Sequence, residues 1–255
     1  MNGHVHAIEE RVRTRRIMSV VGVAAHLDHR LYLLPDVAGA TRQGCLDAAE
    51  AGFAAVICRP EKVASAARAL SGTGVAVATA VCWDSPDTEI MDTDGMICEA
   101  VVLAGQGADE VPLVATKVRM SVGGGGEFER QTTALVTSME QRDVRVRVVL
   151  DTEDLTSPEI ARACRRATDA GVWMVQGGSW RGQRTGFSQV RRMREALGKD
   201  VLLKWTQPVR SLEALLLCVG EGVARFNGDV GPLMVAARRS AGMGTLNVPL
   251  AGTDY

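Results

Sequence analysis

Short apolar, β-branched runs alternate along this chain with longer stretches whose apolar positions recur at helical spacing. The runs fall at 54–58, 75–82, 110–114, 144–150, 172–176, 201–204 and 223–227. The helical patterns lie between and after them, at 41–51, 61–70, 89–104, 127–141, 157–170, 188–197, 211–219 and 232–239. Boundary signals agree with this division. Thr156, Ser157 and Pro158 put hydroxyls and a proline at a helix start, and Gly52, Gly107, Gly171 and Gly222 each separate a helix from the next strand, as glycines at helix C-termini do. With a first strand around 27–31 the chain holds eight strand-then-helix units, which predict an α/β fold with a parallel sheet closed into a (β/α)8 TIM barrel, in a single domain. A doubly wound open sheet is the rival, but no Gly-rich phosphate turn follows the first strand. The four glycines at 123–126 lack a P-loop's lysine and hydroxyl and read as a loop. The predicted barrel occupies 27–245, with an N-terminal arm and helix at 1–26 and a C-terminal tail at 246–255.

Composition narrows the function. The 255 residues carry 29 Lys+Arg against 30 Asp+Glu, a balance without the basic surplus of a nucleic-acid-binding domain. No apolar run is long enough for a membrane span, so the expectation is a cytoplasmic protein that takes a small-molecule partner, with a homo-oligomer possible. The six cysteines are dispersed without a CxxC, which reads as reduced, buried thiols rather than disulfides or a zinc site. His4 and His6 are too isolated to suggest a metal, and no metal or other cofactor is expected. Only four of the basic residues are lysines (Lys62, Lys117, Lys199 and Lys204), so any chemistry that requires an amine has few candidates.

Five segments carry a resemblance to a known family: Leu27-Asp28-His29, Gly52-Phe53-Ala54-Ala55-Val56, Gly72-Thr73-Gly74-Val75, Gly107-Ala108-Asp109-Glu110-Val111 and Leu202-Leu203-Lys204. In order and spacing they resemble 2-deoxyribose-5-phosphate aldolases, and the helix from Thr156 to Ala170 is similar as well. The resemblance runs from about residue 27 to 240 and implies a TIM barrel that makes and breaks carbon–carbon bonds through a lysine Schiff base, without metal. The chain departs from that pattern where the family does its chemistry. Gln176 stands where the imine-forming lysine belongs, and an amide is not a nucleophilic amine. Pro112 replaces the catalytic aspartate of the fourth barrel strand. Gln207 and Pro208 replace the paired glycines that present N–H groups to phosphate, and Asp229 in the last loop would repel one.

Other positions persist. Lys204 matches the family's second active-site lysine, Asp28 a first-strand aspartate of the pocket, and Asp151 takes the place of a fifth-strand glutamate. Arg147 replaces a lysine deeper on that strand. Tyr255 ends the chain, as a pocket-reaching tyrosine does in some members. Lys204 closes an apolar strand, where desolvation favours a base or an imine-forming nucleophile; the plainer reading is an inherited cation paired with Asp151 or Asp229. Gln176 either holds a carbonyl or carboxylate or fills the space left by the lysine. Lys117 either reaches the barrel mouth or is a solvated loop lysine. Trp83, Trp180 and Trp205 follow three strands and suggest an aromatic rim or packing caps. Arg30 and Asn227, near strand ends, are further substrate-binding candidates.

The reading is a diverged aldolase-like enzyme acting on a non-phosphorylated carbonyl compound by aldol, retro-aldol, cyclisation or dehydration chemistry, with specialised biosynthesis as its expected setting. Lys204, Asp151 and Asp28 are the catalytic candidates. The alternative is a non-catalytic barrel that binds a small molecule or a protein partner.

Overall fold

The computed structural model describes residues 16–83, 92–115, 120, 126–153, 155–179, 186–206, 209, 211–227, 230–243 and 246–249. The eight predicted units close into a barrel of parallel strands: β2 (Leu27–Arg30), β3 (Ala55–Ile57), β4 (Ala76–Ala78), β5 (Glu110–Ala115), β6 (Arg145–Leu150), β7 (Met174–Gly177), β8 (Leu202–Trp205) and β9 (Val223–Asn227). Pairing of β2 with β9, Asp28 against Asn227, shuts the cylinder. The barrel helices are α2 (Ala40–Ala51), α3 (Val63–Leu70), α4 (Thr93–Gly105), α5 (Gly126–Glu140), α6 (Ser157–Asp169), α7 (Phe187–Ala196), α8 (Leu212–Gly220) and α9 (Val230–Gly242). Before the barrel, β1 (Arg16–Met18) leads into α1 (Val20–Ala24), and β1 pairs antiparallel with β10 (Leu246–Val248). The N-terminal arm and the C-terminal tail thus meet in a two-stranded sheet that the periodicity did not announce, because three-residue strands are too short to show an alternation.

Local chemistry sets the element ends. Thr156 and Glu159 form a reciprocal capping box at the start of α6, satisfying N–H groups the helix cannot use internally. Ser211 accepts from the Ala214 N–H at the start of α8 at 3.2 Å. Gly52 ends α2 in the left-handed region at φ 74°, where a Cβ would be strained.

Side chains alternate across each strand, so one parity faces the helices and the other fills the barrel. The outward set is apolar and packs with the helices in one core, which includes Val56, Val77, Val111, Val148, Val175, Leu203 and Phe226. The inward set is divided. On β3 and β4 it is Ala55, Ile57, Ala76 and Ala78, all buried. On β2, β5, β6, β8 and β9 it includes Asp28, Glu110, Arg147, Lys204 and Arg225, also buried. Small side chains at Ala55, Ala76 and Ala78 leave volume for the long charged ones, in place of a layer made only of branched aliphatics. Five of the six cysteines are buried free thiols, and Cys98 is exposed.

Candidate active site

The five charged side chains form one connected layer. Asp28 accepts from the Lys204 amine and, at 2.7 Å, from Arg225 Nε. Arg225 Nη1 donates to Glu110 Oε1 at 2.6 Å, and Arg147 Nη1 donates to Glu110 Oε2 at 3.1 Å while lying 3.7 Å from Asp28. From the barrel's N-terminal side Arg145 also reaches Glu110 at 3.2 Å, and its guanidinium lies 4.3 Å from the centre of the Trp173 ring. Charges this deep persist only when paired, because desolvation of each ion costs several kcal/mol.

Burial and company decide the protonation states. Burial pushes Lys204 down and Arg147 pushes it further; Asp28 opposes both, and the amine comes to about 7 from an ordinary 10.5. For Asp28 burial alone would raise the pKa, but Arg225, Lys204 and Arg147 outweigh it and hold the carboxyl below its ordinary value. Burial lowers Arg147, against Glu110 and Asp28. Arg225 is raised, because its two carboxylate partners exceed the penalty of burial. The layer is therefore a carboxylate pair among guanidinium groups, with one amine poised near neutrality.

Above the layer, at the C-terminal ends of the strands, lies a cavity of about 230 Å³. Its walls follow the inward parity of the strands: Ile57, Ala80, Pro112 with Val114, Val149, Gln176, Thr206 and Asn227, with Arg147 entering from below. Tyr32 and Trp83 close one side, their rings edge to face with centroids 5.4 Å apart. Burial raises the Tyr32 phenol, and a hydrogen bond from Arg30 opposes the shift. Three polar atoms in these walls, Gln176 Oε1, Asn227 Oδ1 and Thr206 Oγ1, are buried without a hydrogen-bond partner, as is Arg147 Nε.

The candidates taken from the sequence separate on this frame. Gln176, Asn227 and Trp83 line the cavity. Lys204 and Asp28 sit in the charged layer and do not line it; Lys204 is 0 % exposed, and its carboxylate partner among the described residues is Asp28, not Asp151, while the other partner considered, Asp229, lies outside them. Asp151, half-buried past the end of β6, accepts from the Glu153 N–H at 3.3 Å and is not among the lining residues. Arg30 acts on Tyr32 rather than on the cavity itself. Of the two readings of Trp205, rim or packing, its position matches packing: it takes the outward parity next to Lys204, is buried in the core between strands and helices, and its ring approaches Gly177. Lys117, Trp180 and Tyr255, and the phosphate-loop positions Gln207, Pro208, Gly228 and Asp229, lie outside the described residues.

Sequence reading did not single out Glu110, Arg225, Tyr32 or Thr206, and it treated Arg147 only as a replacement. A signal for the first two was present. Each is a charge on an otherwise apolar strand, two residues before the inward-facing Pro112 or Asn227, and so on the same face. Gly177, beside Gln176, carries a packing signal of its own: a Cβ there would overlap the Met193 sulfur of α7, so the glycine lets that helix seat close behind the strand. Among the described residues no three His, Cys, Asp or Glu side chains converge as metal ligands, and no helix is long and apolar enough to cross a membrane.

No protein-family model matches the sequence. Curated proteins do. The deoxyribose-phosphate aldolase of Streptococcus equi subsp. zooepidemicus is 30% identical over 218 residues, covering 83% of this chain and 94% of that protein. The deoxyribose-phosphate aldolase of Aciduliprofundum boonei is 28% identical over 192 residues, covering 72% of this chain and 82% of its own. Among solved structures, the tetrameric deoxyribose phosphate aldolase of Aeropyrum pernix superposes with a TM-score of 0.72 at 18% identity, over 88% of this chain and 92% of that one. A Coccidioides immitis protein given the same family designation superposes at 0.77 with 23% identity, over 92% and 96% of the two chains. With its closed eight-stranded barrel and this level of identity across most of its length, the chain belongs to the deoxyribose-phosphate aldolase family.

Proposed function

We propose that this protein is an aldolase-like enzyme that acts on a non-phosphorylated carbonyl compound by proton transfer rather than through an imine. The observation that carries the reading is the Lys204 amine, held near neutrality by burial and Arg147 against Asp28, one layer beneath the cavity. An amine with this pKa accepts and returns protons at physiological pH. Its full burial and its bond to Asp28 weigh against a carbonyl carbon bonding at Nζ. Gln176, where the family carries its imine-forming lysine, cannot supply that bond either.

In the proposed step a proton leaves the hydroxyl of a β-hydroxy carbonyl compound, or the α-carbon in the reverse direction, and is taken up by Lys204. Thr206, the next inward position beyond Lys204 on the cavity side, lies on the route. The electron pair released from the breaking bond moves onto the carbonyl oxygen, which the amides of Gln176 and Asn227 hold. Asp28 stabilises the ammonium that forms. The unpaired acceptors Gln176 Oε1 and Asn227 Oδ1 suit the hydroxyl donors of such a ligand. Aldol, retro-aldol, cyclisation and dehydration all begin with this proton transfer. The proposed setting is the cytoplasm, as a homo-oligomer, with a role in specialised biosynthesis.

A second reading, a barrel that binds a small molecule without converting it, draws support from Gln176 and Pro112, since two catalytic family positions have changed together. Exchange of α-protons for deuterium separates the two. A panel of aldehydes and ketones is incubated with the protein in deuterium oxide and followed by NMR, with borohydride added in parallel to trap imines. The expected result is exchange with wild type, a loss of about 10²- to 10⁴-fold in Lys204→Met, and no reduced adduct on Lys204. Ligands that bind without exchange would establish the binding barrel. A mapped adduct on Lys204 would replace proton transfer with imine chemistry.

A further inference from the structure

The charged layer beneath the cavity holds three basic side chains and two acidic ones. Arg225 is committed to both carboxylates, through Nε to Asp28 and Nη1 to Glu110, and Lys204 is committed to Asp28. Arg147 is different. Its Nη1 serves Glu110 and approaches Asp28, but its buried Nε donates to nothing. It is also the one member of the five that lines the cavity. Beside it stand Gln176 and Asn227, 6 % and 5 % exposed, each with a buried amide oxygen lacking a partner. Unpaired buried donors and acceptors are costly to leave unsatisfied, and here they belong to three residues that line one volume whose other walls are mostly apolar and aromatic.

Resting on the reading of this cavity as the substrate site, we propose that its substrate class is a hydroxy-oxo carboxylic acid, with the carboxylate held by the unused edge of Arg147. Nη1 is occupied, so Nε and the remaining terminal nitrogen form the edge left over, and a planar carboxylate matches such an edge with two parallel hydrogen bonds. Gln176 and Asn227 accept from the hydroxyl. Trp83, Tyr32 and Val114 receive the rest of an apolar chain. A bound carboxylate favours the charged form of Lys204, the base in excess of the two acids, so the acid binds with uptake of a proton.

Calorimetric titration of the full chain tests this with matched ligands at two sizes: pyruvate, acetone and ethyl phosphate, then phenylpyruvate, phenylacetone and 2-phenylethyl phosphate. The expected result is that at least one acid binds about tenfold or more tighter than its ketone and its phosphate. Its binding heat should depend on the ionisation heat of the buffer, in the direction of proton uptake. Arg147→Lys keeps the charge and loses the planar fork, so it should shrink the preference for acid over ketone to about threefold or less. If that variant does not fold, the wild-type preference and its proton uptake remain decisive. A ketone that matches its acid, a preferred phosphate, or no binding by either acid overturns the proposal. None of these readouts uses turnover: acid preference without proton exchange would sink the enzyme reading alone, and exchange on neutral ketones without acid preference would sink the carboxylate seat alone.

Discussion

Replacing Lys204 by methionine removes a titrating amine from the barrel interior and leaves an unbranched side chain in its place. Asp28 keeps its 2.7 Å bond from Arg225 in the variant, so no carboxylate is stranded. The effect of the amine on stability has a definite sign. In the unfolded chain it holds its proton up to about 10.5, and in the folded protein it releases it near 7. Between those values the unfolded state binds more protons, so stability rises with pH. The contribution is complete above the unfolded value and is lost as pH falls through about 7. Half of the folded amines are protonated at the start of a rise from about pH 7 to pH 9. Integrating over that rise gives a gain of about 2 kcal/mol. The upper end is set by the thiols: burial pushes Cys58, Cys164 and Cys218 up to about 12, so above pH 9 their ionisation in the unfolded chain pulls stability the other way. Urea unfolding of wild type and Lys204→Met at pH 7, 8 and 9 measures the difference between the two slopes and cancels every group they share. Wild type should gain about 2 kcal/mol more than the variant across this range. Parallel responses, within about 0.5 kcal/mol, would mean that the amine is fully charged in the folded state and would refute the argument.

Two further outcomes follow from the neighbouring strand. Gln176→Lys puts an amine in the cavity wall next to Lys204 and Arg147, where like charge and desolvation lower its pKa. The variant should acquire a borohydride-trapped ethyl group at residue 176 on treatment with acetaldehyde, read by peptide mass mapping; an unmodified residue 176 in folded protein would show that the wall cannot seat an imine. Gly177→Ala drives a Cβ into the Met193 sulfur and should destabilise the protein by about 1–3 kcal/mol, and the Gly177→Ala, Met193→Ala double variant should lose less than the sum of the two single variants. Additive losses in urea unfolding would show that the two side chains do not collide.

The barrel was legible in the sequence because its evidence is periodic and repeated. Eight apolar runs, eight helical patterns and glycines such as Gly52 and Gly171 each report on the same plan, and within the barrel the differences lie at element ends, the short β1–β10 sheet outside it being the element the pattern does not show. The helix predicted at 61–70, for example, begins with a 3-10 turn at Pro60–Lys62 and becomes α-helical only at Val63. The site was legible only in part, because side-chain partners depend on strand order around the cylinder, which periodicity does not report. Lys204 was found by its place at a strand end, but its partner Asp28 lies 176 positions away in the chain and two strands away around the barrel. Trp205 was left between rim and packing for a related reason: closeness to a strand end says nothing about which face a residue takes, whereas parity counted from Lys204 turns it outward. Glu110 and Arg225 lie in runs read as core, where a single charge is easily discounted.

The charged layer also divides the chain in an unexpected way. Both of its acids come from the first four barrel strands, and all three of its bases come from the last four. Neither half can neutralise its own interior, so a half-barrel released from the ribosome holds carboxylates that must stay wet until the second half arrives. The two halves form a plus-and-minus pair, each completing the other and each unsuited to stand alone or to pair with a copy of itself.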